Sequence, residues 1–355
     1  MSTALKCLSI LFSPFIAVYT LLIFLRNKFY DWQWLKSCKV PATVISVGNL
    51  QMGGTGKTPM VEFLANYLLT RKEQVVILSR GYRRSSKETV LVDSSSPIDV
   101  NPYLIGDEPF QLLQNLPEVK LAIDADRCKS AERALERWPG SVLLLDDGFQ
   151  HRRIFRDLNI VMLDPSRWSR GSFLFPLSDF RDVKSSLKRA HLLVINQDDN
   201  DLEFNRSFEK ELKKRLNIPV FSSSIVPQEI CPLNTKRRLS LTQLKGLKMA
   251  IFCGIAHSER FIKTLRKLGG EICFQKLFRD HHRYRLSHLQ EIEKNAREND
   301  ADIILTTQKD AVKVGSYLKQ VNYKVYYLKI EIKIQPQEEI FKLINRILLT
   351  VDHKI

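Results

Sequence analysis

The sequence has few of the patterns that mark a metal-binding or nucleic-acid-binding protein. Only six of its 355 residues are cysteines, no two form a C-x-x-C pair, and Cys253 with His257 has no second pair to complete a zinc site. Helix-turn-helix, zinc and RNP-type motifs are also missing, which argues against nucleic-acid binding. Scattered cysteines without a framework predict buried thiols in a reducing compartment.

Negative charge is scarce relative to positive charge. The chain has 55 lysines and arginines against 39 aspartates and glutamates, which gives a formal net charge of +16. Such an excess favours anionic partners, whether nucleic acid, acidic lipid headgroups or phosphorylated substrates. The hydrophobic content of 44% is ample for packed cores, and the length predicts two domains.

The longest apolar run is Ala4–Leu25, which is about long enough to span a bilayer. It lacks the basic start, short core and cleavage site of a secretory signal. Pro14 would kink a spanning helix, and Trp32 and Trp34 suit the headgroup level, so a spanning and an interfacial helix are both open. Packing of this helix on its own domain is the alternative to membrane contact. The basic residues after the run predict that the rest of the chain is cytoplasmic.

Short β-branched runs alternate with helical patterns from Pro41 to about Ser224, which predicts a parallel sheet with helices on both faces. A second α/β pattern begins near Met249. The segment between them contains Pro227 and Pro232 and has weak periodicity, so we predict a linker there. The predicted domains are a membrane-associating helix over 1–39, a kinase-like core over 40–225, a linker over 226–241 and a C-terminal α/β domain over 242–355.

A glycine-rich stretch, Gly53-Gly54-Thr55-Gly56-Lys57-Thr58, lies between a β-branched run and a predicted helix that starts at Pro59. Strand, glycine loop and helix form the context of a phosphate-binding loop. Lys57 would bridge the β- and γ-phosphates, and the hydroxyl of Thr58 would bind Mg²⁺. Gln51 stands where the usual pattern has its first glycine. The predicted ATP-binding residues are Gln51, Met52, Gly53, Gly54, Thr55, Gly56, Lys57 and Thr58.

Two acidic pairs are candidates for chemistry. Asp146 and Asp147 end an apolar strand, and carboxylates at that edge beside a phosphate loop hold Mg²⁺; a strand-end turn is the alternative. Asp107 and Glu108 open a predicted helix, so Asp107 is a candidate general base or a helix cap. His281 lies in the only tight histidine cluster of the sequence. The alternative to a functional role for this cluster is a surface pair or a helix cap.

Two basic stretches have weaker signals. Ser79–Arg84 follows a predicted strand and is strongly basic. It either binds a phosphate or a lipid headgroup, or it is a solvated loop. Lys309-Asp310, after two threonines, has the pattern of a helix start and needs no further role.

Taken together, these motifs resemble the tetraacyldisaccharide 4'-kinase family, and the resemblance covers nearly the whole chain. The matching stretches are SVGNLQMGGTGKTP (46–59), SRGYRR (79–84), GDEP (106–109), DDGFQH (146–151), FRDHHRY (278–284) and TTQKDAVK (306–313). The segment after Arg170-Gly171 departs from the family pattern, because Ser178 and Asp182 replace glycine and glutamate. Gln308 stands where glutamate is common. These departures leave acyl-chain tolerance and the role of Arg181 open.

The resemblance implies a function. Members of the family use ATP and Mg²⁺ to phosphorylate the 4'-hydroxyl of a tetraacyl glucosamine disaccharide 1-phosphate at the cytoplasmic face of the bacterial inner membrane, with the active site between two α/β domains. Asp107 then matches the proposed base, His281 its partner, and Arg127 a basic active-site residue. Lys57 and Thr58 match the phosphate loop, and the metal-associated residues are Thr58, Glu108, Asp146 and Asp147.

The implied partners are the lipid substrate and the membrane surface, with neither nucleic acid nor an obligate protein partner. The main rival is a membrane-associated nucleotide-switch ATPase or GTPase. A guanine-binding motif is loosely resembled by the stretch Asn196-Gln197-Asp198-Asp199, although Gln197 stands where that motif has lysine. A nucleic-acid-binding protein is suggested by charge alone, and the intact loop and carboxylates argue against a pseudoenzyme.

Overall fold

One sheet of twelve strands runs through the chain, with the order β10-β9-β11-β12-β8-β7-β6-β1-β5-β2-β4-β3. The computed structural model describes residues 3–96, 100–168, 174–175, 178–197 and 202–352. The strands are β1 Val44–Asn49, β2 Val75–Ser79, β3 Val90–Val92, β4 Lys120–Ile123, β5 Val142–Asp146, β6 Leu158–Leu163, β7 Leu192–Asn196, β8 Val220–Pro232, β9 Lys248–Cys253, β10 Glu271–Leu277, β11 Ile303–Thr307 and β12 Val325–Gln335.

The helices pack on both faces of this sheet, as the alternating pattern predicts. They are α1 Thr3–Asp31, α2 Lys57–Thr70, α3 Pro102–Ile105, α4 Asp107–Asn115, α5 Arg127–Arg137, α6 Leu202–Leu216, α7 Ser258–Lys267, α8 Leu286–Glu298, α9 Gln308–Val314 and α10 Gln337–Asp352. The mixed α/β class with a large, mainly parallel sheet is therefore confirmed. Strand β3 and helices α3 and α8 are additions that the sequence patterns did not predict.

The central strands are buried on both faces, which is why they are nearly continuous apolar runs. Strand β1 pairs in parallel with β5 and β6, and its register places Val47 opposite Asp146. The carboxyl ends of β1 and β5 therefore lie side by side at one edge of the sheet. That edge carries the glycine loop and the Asp146–Asp147 pair.

Part of the predicted linker is strand rather than irregular chain. Strand β8 extends to Pro232 and pairs antiparallel with β12 along most of its length. The register shifts so that Lys329 faces Glu229 while Ile330 faces Pro227, which leaves Gln228 as an extra residue. A bulge accommodates a proline that cannot donate to the ladder, and this explains why Pro227 does not end the strand.

The C-terminal helix packs against the helix that follows the glycine loop. Ile340 and Ile344 are fully buried in the same core as Met60 and Leu64. The Tyr67 hydroxyl also donates to Asn345 Oδ1 (2.7 Å). Helix α10 therefore contributes to the core beneath the glycine loop, whereas the sequence placed it in the C-terminal domain.

The end of α1 is tied to the body of the protein by buried polar contacts. Asn27 donates to Asp182 Oδ1 (2.9 Å), and Arg152 donates to the carbonyl of Asn27 (2.6 Å). Arg152 also pairs with Asp31 at 2.8 Å. Within the described part of the chain, no helix has both the length and the apolar character needed to cross a membrane.

The prediction that the cysteines are reduced thiols is wrong for one pair. A disulfide joins Cys38, in the segment after α1, to Cys128 in the first turn of α5. Cys38 also forms an isolated β-bridge with Ile154, and Cys128 Sγ lies 3.4 Å from the carbonyl oxygen of Arg153. Both cysteines therefore contact the same third segment, which sequence spacing could not reveal. Cys231 and Cys253 are buried free thiols, as expected, and Cys273 is a half-buried one.

Candidate active site

The glycine loop joins β1 to α2 and ends in a left-handed glycine immediately before the helix. Gly56, immediately before α2, has a left-handed φ of 88°, which other residues adopt at a cost. Helix α2 then begins at Lys57 and directs its free N–H groups into the loop. The Asn49 amide donates to Thr55 Oγ1 (2.7 Å), which fastens the loop to the strand before it.

Gln51, at the position of the missing glycine, has a structural role. Its buried side-chain amide donates to the carbonyl of Asp164 (2.9 Å), and its Oε1 accepts from the N–H of the same residue (2.8 Å). Arg167 donates to the carbonyl of Met52 and lies so close to Gly53 that a Cβ there would collide with it. The loop is thus held from outside by the segment that follows β6.

Asp147 is surrounded by cations at the end of β5. Both of its oxygens accept from Arg181, and one lies 3.6 Å from Lys57 Nζ. Burial raises the pKa of Asp147, but Lys57, Arg181 and Arg127 outweigh it and hold that pKa far below its usual range. Asp147 is therefore an anion at any working pH. Arg181 is a site residue whose role the sequence left open.

Asp146 has the opposite environment. It is buried, and the hydroxyl of Ser79 lies at the hydrogen-bond limit of 3.4 Å from its Oδ2. Burial, together with the charges of Glu108 and Asp147, raises the pKa of Asp146 to about 7. The charges of Lys57 and Arg127 lower this pKa only in part, and no ion pair of Asp146 is found among the described residues.

Arg127 is the first residue of α5 and points into the same edge. Asp126 caps the helix by accepting from Cys128 N (3.0 Å), and Arg127 Nη1 donates to the carbonyl of Asp124 (2.7 Å). Burial lowers the pKa of Arg127 to about 10, so it stays charged at neutral pH. Burial, and then the charge of Arg127, lowers the pKa of His151 to about 4, so this neighbouring imidazole is neutral.

Asp107 is the first residue of α4 and lies where two glycine turns meet. Gly106 has a φ of 99°, and a Cβ there would lie 3.0 Å from the Cα of Gly81. Only glycines allow this close approach of backbones. The contact brings Asp107 beside the basic loop that follows β2, so this loop is not simply solvated.

His281 approaches Asp107 from the C-terminal half of the chain. Its Nδ1 lies 3.7 Å from Asp107 Oδ2, and its carbonyl accepts from Arg83 Nη1 (2.8 Å). The ring of Tyr82 meets the imidazole edge-on at 5.2 Å between centroids. His281 also has a left-handed φ of 56°, unusual for a non-glycine residue, and such outliers cluster at functional sites. The predicted base and its predicted partner are therefore neighbours.

Two of the four predicted metal residues pair with cations in this structure. Glu108 pairs with Lys309 at 3.5 Å, and Asp147 is engaged by Arg181 and Lys57. In the ranges that the structure describes, no three His, Cys, Asp or Glu side chains are placed to share a metal ion. Mg²⁺ in phosphoryl-transfer sites needs only one or two carboxylates besides substrate phosphates and water, so a site formed from Thr58, Glu108, Asp146 and Asp147 stays a prediction.

The sequence left the role of Arg181 open and gave Lys309 no functional role, because both reach the site across the fold. Arg181 contacts Asp147 from a segment 34 residues later in the chain.

Within the motif that suggested a nucleotide switch, Asn196 ends β7, and the next residue, Gln197, donates to Ser222 (2.8 Å). Asp198 and Asp199 lie outside the described residues, as do residues 176 and 177 of the segment that departs from the family pattern.

Comparison with known proteins gives one consistent result. The family model described as Tetraacyldisaccharide-1-P 4'-kinase matches residues 8–348. A protein of Syntrophus aciditrophicus named tetraacyldisaccharide 4'-kinase is 36% identical over 340 residues, which cover 93% of this chain and 90% of the relative. One of Aquifex aeolicus with the same name is 34% identical over 335 residues, or 94% and 97% of the two chains.

A solved structure has the same architecture. The crystal structure described as the "apo" form of LpxK from Aquifex aeolicus in complex with ATP superimposes with a TM-score of 0.76 at 32% sequence identity. The match covers 96% of this chain and 99% of that one.

Proposed function

The chain belongs to the tetraacyldisaccharide-1-phosphate 4'-kinase family, and from this premise we propose which of its residues carry the reaction. It is an ATP-dependent kinase of lipid A biosynthesis that phosphorylates the 4'-hydroxyl of a tetraacyl glucosamine disaccharide 1-phosphate, with ATP and Mg²⁺ as cofactors. The observation that carries the assignment is the joint placement of two pairs, Lys57 with Asp147 and Asp107 with His281.

The glycine loop binds the phosphates of ATP. The N–H groups at the start of α2 face the loop, and the ammonium of Lys57 neutralises charge on the β- and γ-phosphates. Asp147 and Arg181 hold Lys57 in place, because Asp147 bridges the two cations. Arg127 adds a second positive charge that is already desolvated, so its attraction for a phosphate is screened little by water.

Asp146 and Thr58 are the residues that hold Mg²⁺. The raised pKa of Asp146 supports this, since a divalent cation beside it would stabilise the ionised form. When bound, Mg²⁺ neutralises charge on the transferring phosphoryl group. The charge of Glu108 raises the pKa of Asp146, so Glu108 would add negative charge beside a bound cation while its own carboxylate pairs with Lys309.

Asp107 is the general base. It accepts the proton of the 4'-hydroxyl as the hydroxyl oxygen forms its bond to the γ-phosphorus, while the bond from that phosphorus to the bridging oxygen of ATP breaks and ADP leaves. His281 orients the Asp107 carboxylate from the C-terminal half of the chain and stabilises its charge. The base and the phosphate loop both belong to the N-terminal half, so His281 is the part of this site that the C-terminal half supplies.

Phosphoryl transfer is tested with ATP labelled in its γ-phosphate and the acylated disaccharide 1-phosphate in detergent micelles. We expect labelled lipid with the natural acceptor and none with an acceptor methylated at its 4'-oxygen. GTP is expected to support much slower transfer. Hydrolysis without labelled lipid, with GTP as effective as ATP, would instead support the nucleotide-switch function.

We also propose that α1 docks on the membrane surface. Beyond its buried contacts at Asn27, the helix presents an exposed apolar face that includes Val18, Leu21 and Leu22. Phe29, Trp32 and Trp34 form an aromatic cluster at its end, with the stacked pair Phe29–Trp34 at 5.3 Å between ring centroids. Lysines 28, 36 and 39 flank this cluster. An apolar face bordered by aromatic and basic residues suits an anionic membrane interface.

The docking proposal predicts a loss of vesicle binding for Leu22→Asp. Burying one leucine is worth about 1.5–3 kcal/mol, so we expect the partition coefficient on anionic phospholipid vesicles to fall about tenfold or more. The matched control is Leu349→Asp, because Leu349 is equally exposed (61% against 58%) but lies on α10. Equal partitioning of both variants, measured by vesicle sedimentation, would contradict docking through this face.

A further inference from the structure

Helix α9 packs its first turn against α4, the helix that carries the proposed base. Gln308 Nε2 donates to Asn115 Oδ1 at the end of α4 (2.7 Å). The next residue, Lys309, faces the beginning of α4. The start of α9 is set by Thr307, whose hydroxyl accepts from Asp310 N (3.2 Å). The backbone of Lys309 is therefore held in the first turn of a capped helix.

Lys309 lies at the centre of a charged cluster. Its Nζ is 3.1 Å from His281 Nε2, 3.5 Å from Glu108 Oε1 and 3.5 Å from Asp280 Oδ1. Two carboxylates, those of Glu108 and Asp280, lie within ion-pair distance of this side chain and stabilise its charged form. The group that meets His281 is therefore an ammonium ion.

An ammonium ion donates three hydrogen bonds and accepts none. The imidazole nitrogen that it meets must then be the unprotonated acceptor, and in a neutral imidazole the proton is on the other nitrogen. One competing group faces the same nitrogen, because Asp280 Oδ2 lies 4.0 Å from Nε2 and would favour a proton there. At 3.1 Å, Lys309 is the closer of the two and within hydrogen-bond distance.

We propose that Lys309 is a positioning residue that keeps the proton of neutral His281 on Nδ1, where it faces Asp107. This inference rests on the proposed function, since it assigns a role to the Asp107–His281 pair. With the proton on Nδ1, His281 presents a donor to Asp107 Oδ2, 3.7 Å away, and leaves the other carboxylate oxygen to accept the hydroxyl proton. With the proton on Nε2, the lone pair of Nδ1 would face the carboxylate and repel it.

The kinetic test replaces Lys309 by methionine, which has a similar length and no charge. We expect kcat to fall about 10- to 100-fold, the range typical of residues that orient a functional histidine, while KM for ATP changes less than about threefold. Lys309→Arg is expected to recover most of the loss, because a guanidinium also only donates. Lys294→Met, an exposed lysine on α8 that pairs only with Glu298 among described contacts, is the matched control.

A double replacement separates positioning from simple support of the fold. In a His281→Ala background, Lys309→Met is expected to cause almost no further loss, because the histidine it orients is gone. If Lys309→Met lowered kcat by the same factor in both backgrounds, the inference would be overturned. Lys309 would then act through its ion pair with Glu108 or through packing between the domains. If His281→Ala itself left kcat unchanged, the proposed role of the pair would be wrong.

The tautomer can be observed without activity. In protein labelled with ¹⁵N-histidine, at a pH where the imidazole is neutral, the His281 resonance is assigned by its loss in His281→Ala. We expect a protonated Nδ1 and an unprotonated Nε2 in the unaltered protein, and a mixed population in Lys309→Met. A protonated Nε2 in the unaltered protein would refute the role of Lys309 whatever the kinetics show.

Discussion

Replacement of Lys57 by alanine is expected to lower kcat for phosphoryl transfer by about 10³-fold or more, because phosphoryl transfer depends on neutralisation of charge at the γ-phosphate. Lys57 is the first residue of α2, and its ammonium lies 3.6 Å from Asp147 Oδ1. The alanine variant therefore loses the cation at the phosphate loop and one of the two basic side chains that contact Asp147. The measurement is single-turnover transfer of labelled phosphate at saturating ATP.

Lys72→Ala provides the control for Lys57→Ala. Lys72 is an exposed lysine just beyond the other end of α2, so its loss removes the same charge without touching the loop. We expect wild-type kcat for Lys72→Ala and an unchanged KM for the lipid acceptor in both variants. A loss of less than tenfold in a fully folded Lys57→Ala protein would mean that the glycine loop does not bind the transferred phosphate.

The phosphate loop and its neighbouring carboxylates could be predicted because each depends on short-range sequence. A β-branched run, a glycine turn and a helix start occupy consecutive residues from Val44 to Thr70, and the structure reproduces that order. Asp146 ends a strand of the same parallel sheet. The carboxyl ends of parallel strands share one edge of the sheet. The proximity of Asp146 to Lys57 could therefore be predicted without knowledge of the strand order.

The contacts between the two halves of the chain could not be predicted in this way. Arg260, on α7, pairs with the buried carboxylate of Asp164 at 2.8 Å. Asp164 in turn holds Gln51 of the phosphate loop. No periodicity links residues 51, 164 and 260. The same limit applies to Pro227. Proline was expected to interrupt the strand, but a bulge in the long antiparallel pair β8–β12 accommodates it.

Two of the three departures from the family pattern, Asp182 and Gln308, have structural explanations in this chain. Asp182 is fully buried, accepts from Asn27 of α1 and pairs with Arg189 at 2.8 Å. Gln308 contacts Asn115 across the interface between α9 and α4. Both positions therefore connect elements and do not contact Lys57 or Asp107 directly. A change of residue type there can be matched by a change in its partner, which a single sequence does not reveal.

Replacement of Asp107 by asparagine is expected to lower kcat by about 10²- to 10⁴-fold, the usual contribution of a general base. Asparagine keeps the size of the side chain and removes only its ability to take the proton of the 4'-hydroxyl. Asp107 is also in the first turn of α4, where an acidic residue stabilises a helix by about 0.3–1 kcal/mol. The thermal midpoint is therefore expected to change little, and Glu338→Gln in the first turn of α10 controls for the helix effect.

The same variant decides whether Asp107 and His281 act as one unit. If His281 works only by orienting and stabilising Asp107, its removal matters little once the carboxylate is gone, so Asp107→Asn with His281→Ala should lose hardly more kcat than Asp107→Asn alone. The 3.7 Å separation between the two groups and the lysine behind the imidazole support such coupling. Losses that multiply would instead mean that His281 contacts the phosphoryl group or the sugar independently, and the assignment of the base would then depend on Asp107 alone.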